Sequence, residues 1–321
     1  MKAAIIGGSG FIGSSLCKLL SEKNTEFDIF DIKNSDTFPS KFKFADVRSA
    51  DDLYKAVELS SIIINLAAEH KDDVSPRSLY DDVNVKGAEN ICNIARLKNI
   101  KKIVFTSSVA VYGFAPLNTD ELGKINPFND YGRTKWEAER VYRSWYEEDP
   151  KNRTLVIIRP TVVFGKGNRG NVYNLLKQIA SGRFVMIGNG SNIKSMAYVE
   201  NVAAFIDYTL NFKSGIHLYN YIDKPDFTMN SLVTLVNRIM GRPEEIKFRI
   251  PYFIGIFVGL ICDFSSIILR KKFPISAIRV KKFCSNSVYK SSLLKTGYIP
   301  QKKLIEAIEE TVKYEFLEKN K

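Results

Sequence analysis

Tyr131 and Lys135 stand four residues apart in Tyr131-Gly132-Arg133-Thr134-Lys135. On a helix that spacing puts both on one face. An ammonium beside a phenol favours the phenolate and lowers the tyrosine pKa, which makes a general base near neutral pH. Upstream, Thr106-Ser107-Ser108-Val109-Ala110-Val111-Tyr112-Gly113 closes an apolar run with two serines. A serine hydroxyl there is suited to hydrogen-bond the substrate oxygen that Tyr131 deprotonates. A tyrosine four before a lysine also fits an ordinary solvated helix face, so its meaning depends on what surrounds it.

What surrounds it begins at the N-terminus. Ala4-Ile5-Ile6-Gly7-Gly8-Ser9-Gly10-Phe11-Ile12-Gly13 is a short apolar run that ends in glycines and opens a helical pattern, with Ile12, Leu16, Leu19 and Leu20 on one face. Gly7 allows the turn, Gly10 lets the backbone approach a pyrophosphate, and Gly13 lets helix pack on strand. The diphosphate then sits at the positive end of the helix. A second strand, Phe27 to Phe30, ends in Asp31. A carboxylate there accepts hydrogen bonds from ribose hydroxyls and repels a 2′-phosphate, which favours NAD over NADP.

These residues need a scaffold of alternating strands and helices. Apolar runs are expected as strands at Phe44–Val47, Ile62–Leu66, Lys102–Thr106 and Thr154–Ile158. Helical patterns fall at Ser78–Leu97, Lys135–Tyr146 and Asn171–Ala180. Alternation at these lengths predicts an α/β fold, a doubly wound parallel sheet of the Rossmann kind with a smaller α/β C-terminal lobe. The expected division is a cofactor domain over 1–165 with a return near 195–215. The substrate lobe then takes 166–194 and 216–321. Small residues at Ala67 and Ala68, after Leu66, leave room for a ligand over the strand end.

The 321 residues are 45% hydrophobic and 26% charged, the balance of a globular chain. The N-terminal apolar run is too short for a signal peptide. Cys17, Cys92, Cys262 and Cys284 show neither metal-ligand spacing nor a disulfide framework, so reduced thiols in a cytosolic protein are expected. No metal site is expected. The net charge of +12 is uneven, with 13 Lys/Arg against 3 Asp/Glu between Gly241 and Lys303. Such a patch suits an anionic membrane or substrate, and no nucleic-acid motif accompanies it.

Together, the glycine turn, the acidic strand end, the serine strand end and Tyr131-x-x-x-Lys135 resemble the extended short-chain dehydrogenase/reductases, in their NAD-dependent sugar epimerase/dehydratase branch. The resemblance implies NAD as cofactor and Ser108, Tyr131 and Lys135 as the catalytic set, with Ser107 the backup serine and a substrate contact. It assigns cofactor contacts to Gly7, Gly10, Phe11, Ile12, Gly13, Asp31, the adenine-side pair Asp46 and Val47, Leu66, Ala67, Ala68, Asn84 and Pro160. Arg159-Pro160 matches the segment running from the last cofactor strand toward substrate. Arg169, Asn171, Lys194 and Ser195 lie in segments that the family uses to line a sugar-diphosphate pocket. Val109 and Ala110 stand where the sugar 4,6-dehydratases carry Asp-Glu, so elimination of water lacks its proton carriers. Val162 replaces an asparagine that hexose epimerases often use on the sugar. His70 is weighed as a proton carrier and better suits hydrogen bonding or positioning, while His217 carries no motif.

Longer strings, among them 66–76, 168–176, 194–199, 219–225 and 279–284, resemble one subgroup. It holds 4-epimerases of N-acetylglucosaminyl-diphospho-undecaprenol, an intermediate of surface-polysaccharide synthesis, and reductases of UDP-linked 4-keto-6-deoxy-N-acetylhexosamines. The expected activity is therefore NAD-dependent 4-epimerisation between GlcNAc and GalNAc on a diphosphate carrier. A UDP-GlcNAc 4-epimerase, the 4-keto reductase and a non-catalytic NAD-binding regulator are the rivals. Family members often dimerise through two helices, which points to 78–97 and 135–146.

A lipid carrier has a counterpart in the chain. Residues 250–269 hold one charge, Asp263, and Arg270-Lys271-Lys272 follow. Asp263, the glycines and Ser265-Ser266 oppose a stable span. Two readings of 250–282 stand side by side. One is a buried helix pair. The other is a helix or hairpin in the membrane interface, with Arg270, Lys271, Lys272, Arg279, Lys281 and Lys282 toward anionic headgroups. The second places a cytoplasmic enzyme peripherally on the inner face of the cytoplasmic membrane.

Overall fold

The computed structural model describes residues 2–57, 62–71, 74–269 and 276–318. They form two compact units. The first comprises 1–163, 197–222 and 289–302, and the second 164–196, 223–288 and 303–321.

The first unit is built on seven parallel strands. β1 (Lys2–Ile6) pairs with β2 (Glu26–Asp31) on one side and β4 (Ile62–Asn65) on the other. β3 (Phe42–Phe44) extends the sheet beyond β2. β5 (Lys102–Thr106), β6 (Thr154–Pro160) and the strand Gly215–Tyr221 extend it beyond β4. The register sets Ile5 opposite Ile29 and Ile64. Strand order reverses between β1 and β4, and ligands of such sheets bind at the carboxyl ends of the strands beside that reversal. Gly7, Asp31, Ala67 and Ser108 all follow carboxyl ends of strands or close them.

Both faces of this sheet are covered, which explains strands that are apolar on both sides. α1 (Phe11–Glu22) and the helix Val199–Thr209 cover one face through Leu16, Leu20, Val202 and Phe205. α2 (Ala50–Ala56), α3 (Gly87–Leu97) and α4 (Asp130–Glu147) cover the other through Leu53, Ile91, Tyr142 and Trp145. A π-helical turn, Asp81–Lys86, leads into α3, so the expected continuous helix over 78–97 is irregular in its first half. α4 starts at Asp130, where the Asn129 carboxamide accepts a hydrogen bond from the Gly132 amide at 3.0 Å. This cap draws Tyr131 into the helix together with Lys135. The third strand stops at Phe44, ahead of Asp46 and Val47.

The boundary of the units differs from the expected one. Residues 216–321 were expected in the smaller lobe. The strand Gly215–Tyr221 instead pairs along its length with β6, and 289–302 also joins the first unit. The backbone partner of 215–221 lies some sixty residues upstream, beyond the reach of a local pattern.

The second unit takes residues 193–196 of the strand Ile193–Tyr198, which runs antiparallel to Asp223–Thr228 with Lys194 opposite Phe227. Helices Asn171–Ala180, Met229–Ile239, Tyr252–Leu269, Ala277–Cys284 and Leu304–Lys313 complete the unit. The helix Tyr252–Leu269 presses one stripe inward. A Cβ on Gly255 would stand 2.6 Å from Ile187, and one on Gly259 would stand 2.6 Å from the Ala277 amide. One turn on, the Asp263 carboxylate accepts that amide at 3.0 Å, beside the Ser276 cap of the helix Ala277–Cys284. Gly255, Gly259 and Asp263, three of the residues that opposed a membrane span, therefore lie on the packed stripe. The opposite stripe is open, with Phe253 71%, Phe257 63% and Phe264 66% exposed. Within the described chain the helix is thus packed on one side only. Among the described residues no helix is long and apolar enough to cross a membrane. Arg270, Lys271 and Lys272 lie outside the described residues.

Candidate active site

The glycine turn is shaped to hold a diphosphate. Gly7 has φ +76°, and a Cβ there would stand 2.5 Å from the Ala67 amide nitrogen. On Gly13 it would stand 2.5 Å from the Gly8 carbonyl oxygen, whereas on Gly10 it would meet only the Gly7 carbonyl, at 3.2 Å. Gly7 and Gly13 therefore let strand, loop and helix close up, and the mouth over Gly10 is left to a ligand. Gly10 caps α1 without a side chain, so the first-turn amides of Phe11 and Ile12 have no side-chain acceptor there. The Ser9 hydroxyl is buried without a protein partner. This donor set at a helix N-terminus fits a pyrophosphate.

Asp31 accepts the amides of Ser9 and Lys33, each at 3.1 Å, which fixes its carboxylate at the end of β2. Oxygen lone pairs remain for ribose hydroxyls. Asp46 is differently engaged. The Arg48 guanidinium clasps both of its oxygens at 2.5–3.0 Å and holds the carboxyl below the usual range. Val47 packs on Gly87, and its carbonyl accepts the Asn90 amide at 3.1 Å. Leu66 donates its amide to Ile6 at 2.8 Å, and Ala67 donates to the Asn65 side chain at 3.1 Å. The loop through Ala68 is thus fixed above the strand ends.

Asn84 works as a staple. Its carboxamide exchanges hydrogen bonds with the backbone of Glu69 at 2.9 and 3.0 Å and donates to Thr134 Oγ1 at 2.9 Å. It therefore joins the loop after β4 to the turn of α4 between Tyr131 and Lys135. His70 is exposed and donates its amide to the Glu69 carboxylate at 3.1 Å. His217 contacts the Lys213 carbonyl at 3.0 Å.

Ser108 follows β5 in extended conformation and accepts the Ala110 amide at 3.1 Å. Burial raises the Tyr131 pKa, and the neighbouring Ser108 side chain opposes that rise. Lys135 is 2% exposed, with its ammonium 4.4 Å from the centre of the Phe105 ring. Burial pushes Lys135 down to about 7, with Glu139 opposing. The expected lowering of the Tyr131 pKa is therefore not met in the protein alone, because burial of the phenol raises it while burial weakens the charge of Lys135.

Ser107 turns inward. Its hydroxyl is buried and donates to Glu139 at 2.5 Å. Successive residues of an extended segment point to opposite sides, so one serine faces Tyr131 and the other faces inward. Arg159 is also internal. It is 1% exposed and grips Glu139 through two hydrogen bonds of 2.8 and 2.6 Å, while Pro160 closes the buried strand β6. Glu139 was missed by the sequence reading. Its signal was present, four residues after Lys135 and eight after Tyr131 on one helix.

The expected sugar-diphosphate residues of the second unit are mostly held by the protein. Arg169 pairs with Glu315 at 3.1 Å and lies 4.3 Å over the Tyr173 ring. Lys194 donates to the carbonyls of Lys282 and Ser285 at 2.7 and 2.6 Å, and burial pushes it down to about 8. Ser195 is buried and donates to Asp226 at 2.7 Å. Lys194 and Ser195 thus act as internal ties. Asn171 is exposed at the first position of its helix.

A family model described as the NAD dependent epimerase/dehydratase family matches residues 3–220. The chain is 44% identical, over 99% of its length and 96% of the relative's, to the N-acetyl-alpha-D-glucosaminyl-diphospho-ditrans,octacis-undecaprenol 4-epimerase of Escherichia coli O157:H7. It is 29% identical to the Candida albicans decarboxylating sterol-4-alpha-carboxylate 3-dehydrogenase, over 92% of each chain. Its fold matches the Thermus thermophilus UDP-glucose 4-epimerase complex with NAD, with a TM-score of 0.75, 21% identity and 98% of each chain covered. The cofactor is NAD, and it suits the glycine cradle, Asp31 and the buried lysine described above. Sequence, fold and cofactor turn agree: the chain is an enzyme that belongs to the NAD dependent epimerase/dehydratase family.

Proposed function

We propose that the enzyme is a 4-epimerase that interconverts GlcNAc and GalNAc on a diphosphate carrier, and that this carrier is undecaprenyl diphosphate. The observation that carries the reading is the 44% identity, along 99% of the chain, with a relative named for that reaction. Tyr131 takes the proton from the C4 hydroxyl, and Ser108 holds the same oxygen. Lys135, one turn along the same helix, would steady the phenolate in its charged form. The glycine turn and Asp31 would hold NAD, which would supply a reversible hydride acceptor for the C4 carbon. Tyr131 then gives the proton back, so the sequence is redox-neutral. Val109 and Ala110 offer no proton for an elimination, which favours epimerisation over loss of water.

The open stripe of the helix Tyr252–Leu269 belongs to the same reading. Phe253, Phe257 and Phe264 form an exposed apolar row, and Arg279, Lys281 and Lys282 follow in the next helix. An apolar face beside cations suits peripheral attachment to an anionic membrane, where a lipid-linked sugar is found. Pairing of two copies through α3 and α4 completes the proposal, and sedimentation equilibrium tests it.

The deciding experiment incubates purified enzyme without added reductant. One arm receives GlcNAc-diphospho-undecaprenol and the other UDP-GlcNAc. GalNAc is expected in the lipid arm. Turnover of UDP-GlcNAc alone overturns the carrier, and no turnover in either arm without NADH or NADPH overturns the epimerase.

A further inference from the structure

A fully buried chain of polar groups runs behind the catalytic residues of the first unit. Glu139 is 0% exposed and lies on α4 one turn beyond Lys135. Its Oε1 accepts Ser107 Oγ at 2.5 Å and Arg159 Nε at 2.8 Å, and its Oε2 accepts Arg159 Nη2 at 2.6 Å. Arg159 Nη1 donates to the Tyr112 hydroxyl at 2.6 Å, which donates to Asn220 Oδ1 at 2.8 Å. Asn220 in turn donates to the Lys290 carbonyl at 2.9 Å. The chain thus ties α4 to the ends of β5, β6 and the strand Gly215–Tyr221.

Burying an ion pair is costly, and an apolar pair of the same shape is often as stable. What an apolar pair does not do is hold two elements at a fixed distance and orientation. Two of the attachments here are next to catalytic groups. Ser107 is the peptide neighbour of Ser108, and Glu139 shares a helix face with Lys135. We propose that Glu139 is a positioning residue, whose single carboxylate, gripped by Arg159, holds Ser107 and so places Ser108 over Tyr131 from the β5 side while fixing the α4 turn that carries Lys135.

The surroundings support both halves. Around Lys135, β5 presents the uncharged Phe105 ring and α4 presents Glu139. The Glu139 charge opposes the burial that pushes Lys135 down. Around Tyr131, the turn after β5 presents the Ser108 hydroxyl. Arg159 from β6 lies on the Glu139 side of the network and orients both carboxylate oxygens. A shift of Ser107 carries Ser108 with it, and a 1 Å error in such a group costs on the order of a hundredfold in rate. The inference needs the triad as acid–base centre but not the identity of the sugar carrier.

The test uses Ser107→Ala and Glu139→Gln in NAD-loaded protein. Ser107→Ala keeps the Glu139–Arg159 pair and is expected to fold with wild-type Tm. Tyrosine ionisation is followed at 295 nm, with Tyr131→Phe subtracted in each background to isolate Tyr131. Both variants are expected to move this titration to higher pH. On GlcNAc-diphospho-undecaprenol, both should lower kcat tenfold or more with KM within twofold. A folded Ser107→Ala with wild-type titration and kcat overturns the proposal, and so does a folded Glu139→Gln with both unchanged. Should Glu139→Gln not fold, Ser107→Ala decides by itself. Should wild type not turn over that sugar, the carrier assignment fails and the titration alone decides the role of Glu139.

Discussion

Gly7 lies against Ala67 so closely that a Cβ on the glycine would stand 2.5 Å from the alanine amide nitrogen. The turn after β1 and the loop after β4 therefore close over the sheet only if residue 7 lacks a side chain. With φ at +76°, any L-residue there also adopts a disfavoured backbone. Gly7→Ala should lose NAD binding and about 2 kcal/mol or more of stability. Thermal unfolding and NAD titration check both, and retained NAD affinity would contradict the cradle.

Tyr131→Phe removes the phenol hydroxyl whose pKa Ser108 lowers, and leaves Lys135 and the glycine turn untouched. NAD affinity should stay within a few-fold of wild type. Turnover should fall by about two to four orders of magnitude, the range of a lost general acid–base. Steady-state kinetics with calorimetric NAD binding separates the two effects.

Lys135 titrates near 7 when folded without NAD, against its ordinary value of 10.5. The unfolded chain therefore binds more protons between those values, and stability rises with pH across that window. Lys135→Met carries no such burden. In NAD-free protein it should exceed wild type in stability at pH 7 by on the order of a few kcal/mol, and the gap should shrink toward pH 10. Urea unfolding across that range measures the gap, and a constant difference would show that Lys135 is not strained by burial.

Removing Arg159 leaves the Glu139 carboxylate buried and unpaired. Arg159→Met should cost about 3–5 kcal/mol. Arg159→Met with Glu139→Leu should recover much of that stability while activity stays low. A denaturant series over the single and double variants tests the coupling.

Phe253 and Phe257 are exposed on the open stripe of their helix. Phe253→Glu with Phe257→Glu should leave Tm within a few degrees. Binding to anionic liposomes should weaken about a hundredfold or more, from two aromatic side chains at about 1.5–3 kcal/mol each. Flotation assays at physiological salt read the difference, and unchanged partition would exclude this face as the attachment surface.

The sequence by itself determined the order of strands and helices, the cofactor turn and the spacing of Tyr131 from Lys135. These are short-range properties. A glycine requirement, a period of four on a helix and an apolar run with a fixed end are all written within about ten residues. The tertiary structure decided which of two adjacent serines meets Tyr131, because Ser107 turns inward to a carboxylate 32 positions away. It decided that Lys194 and Ser195 hold the protein together, since their partners lie 91 and 31 positions away. It also decided which side of the helix Tyr252–Leu269 is packed. An apolar stripe reads alike whether it meets a core or a membrane, and only packing showed that Gly255, Gly259 and Asp263 take the inner side and leave the phenylalanines outside.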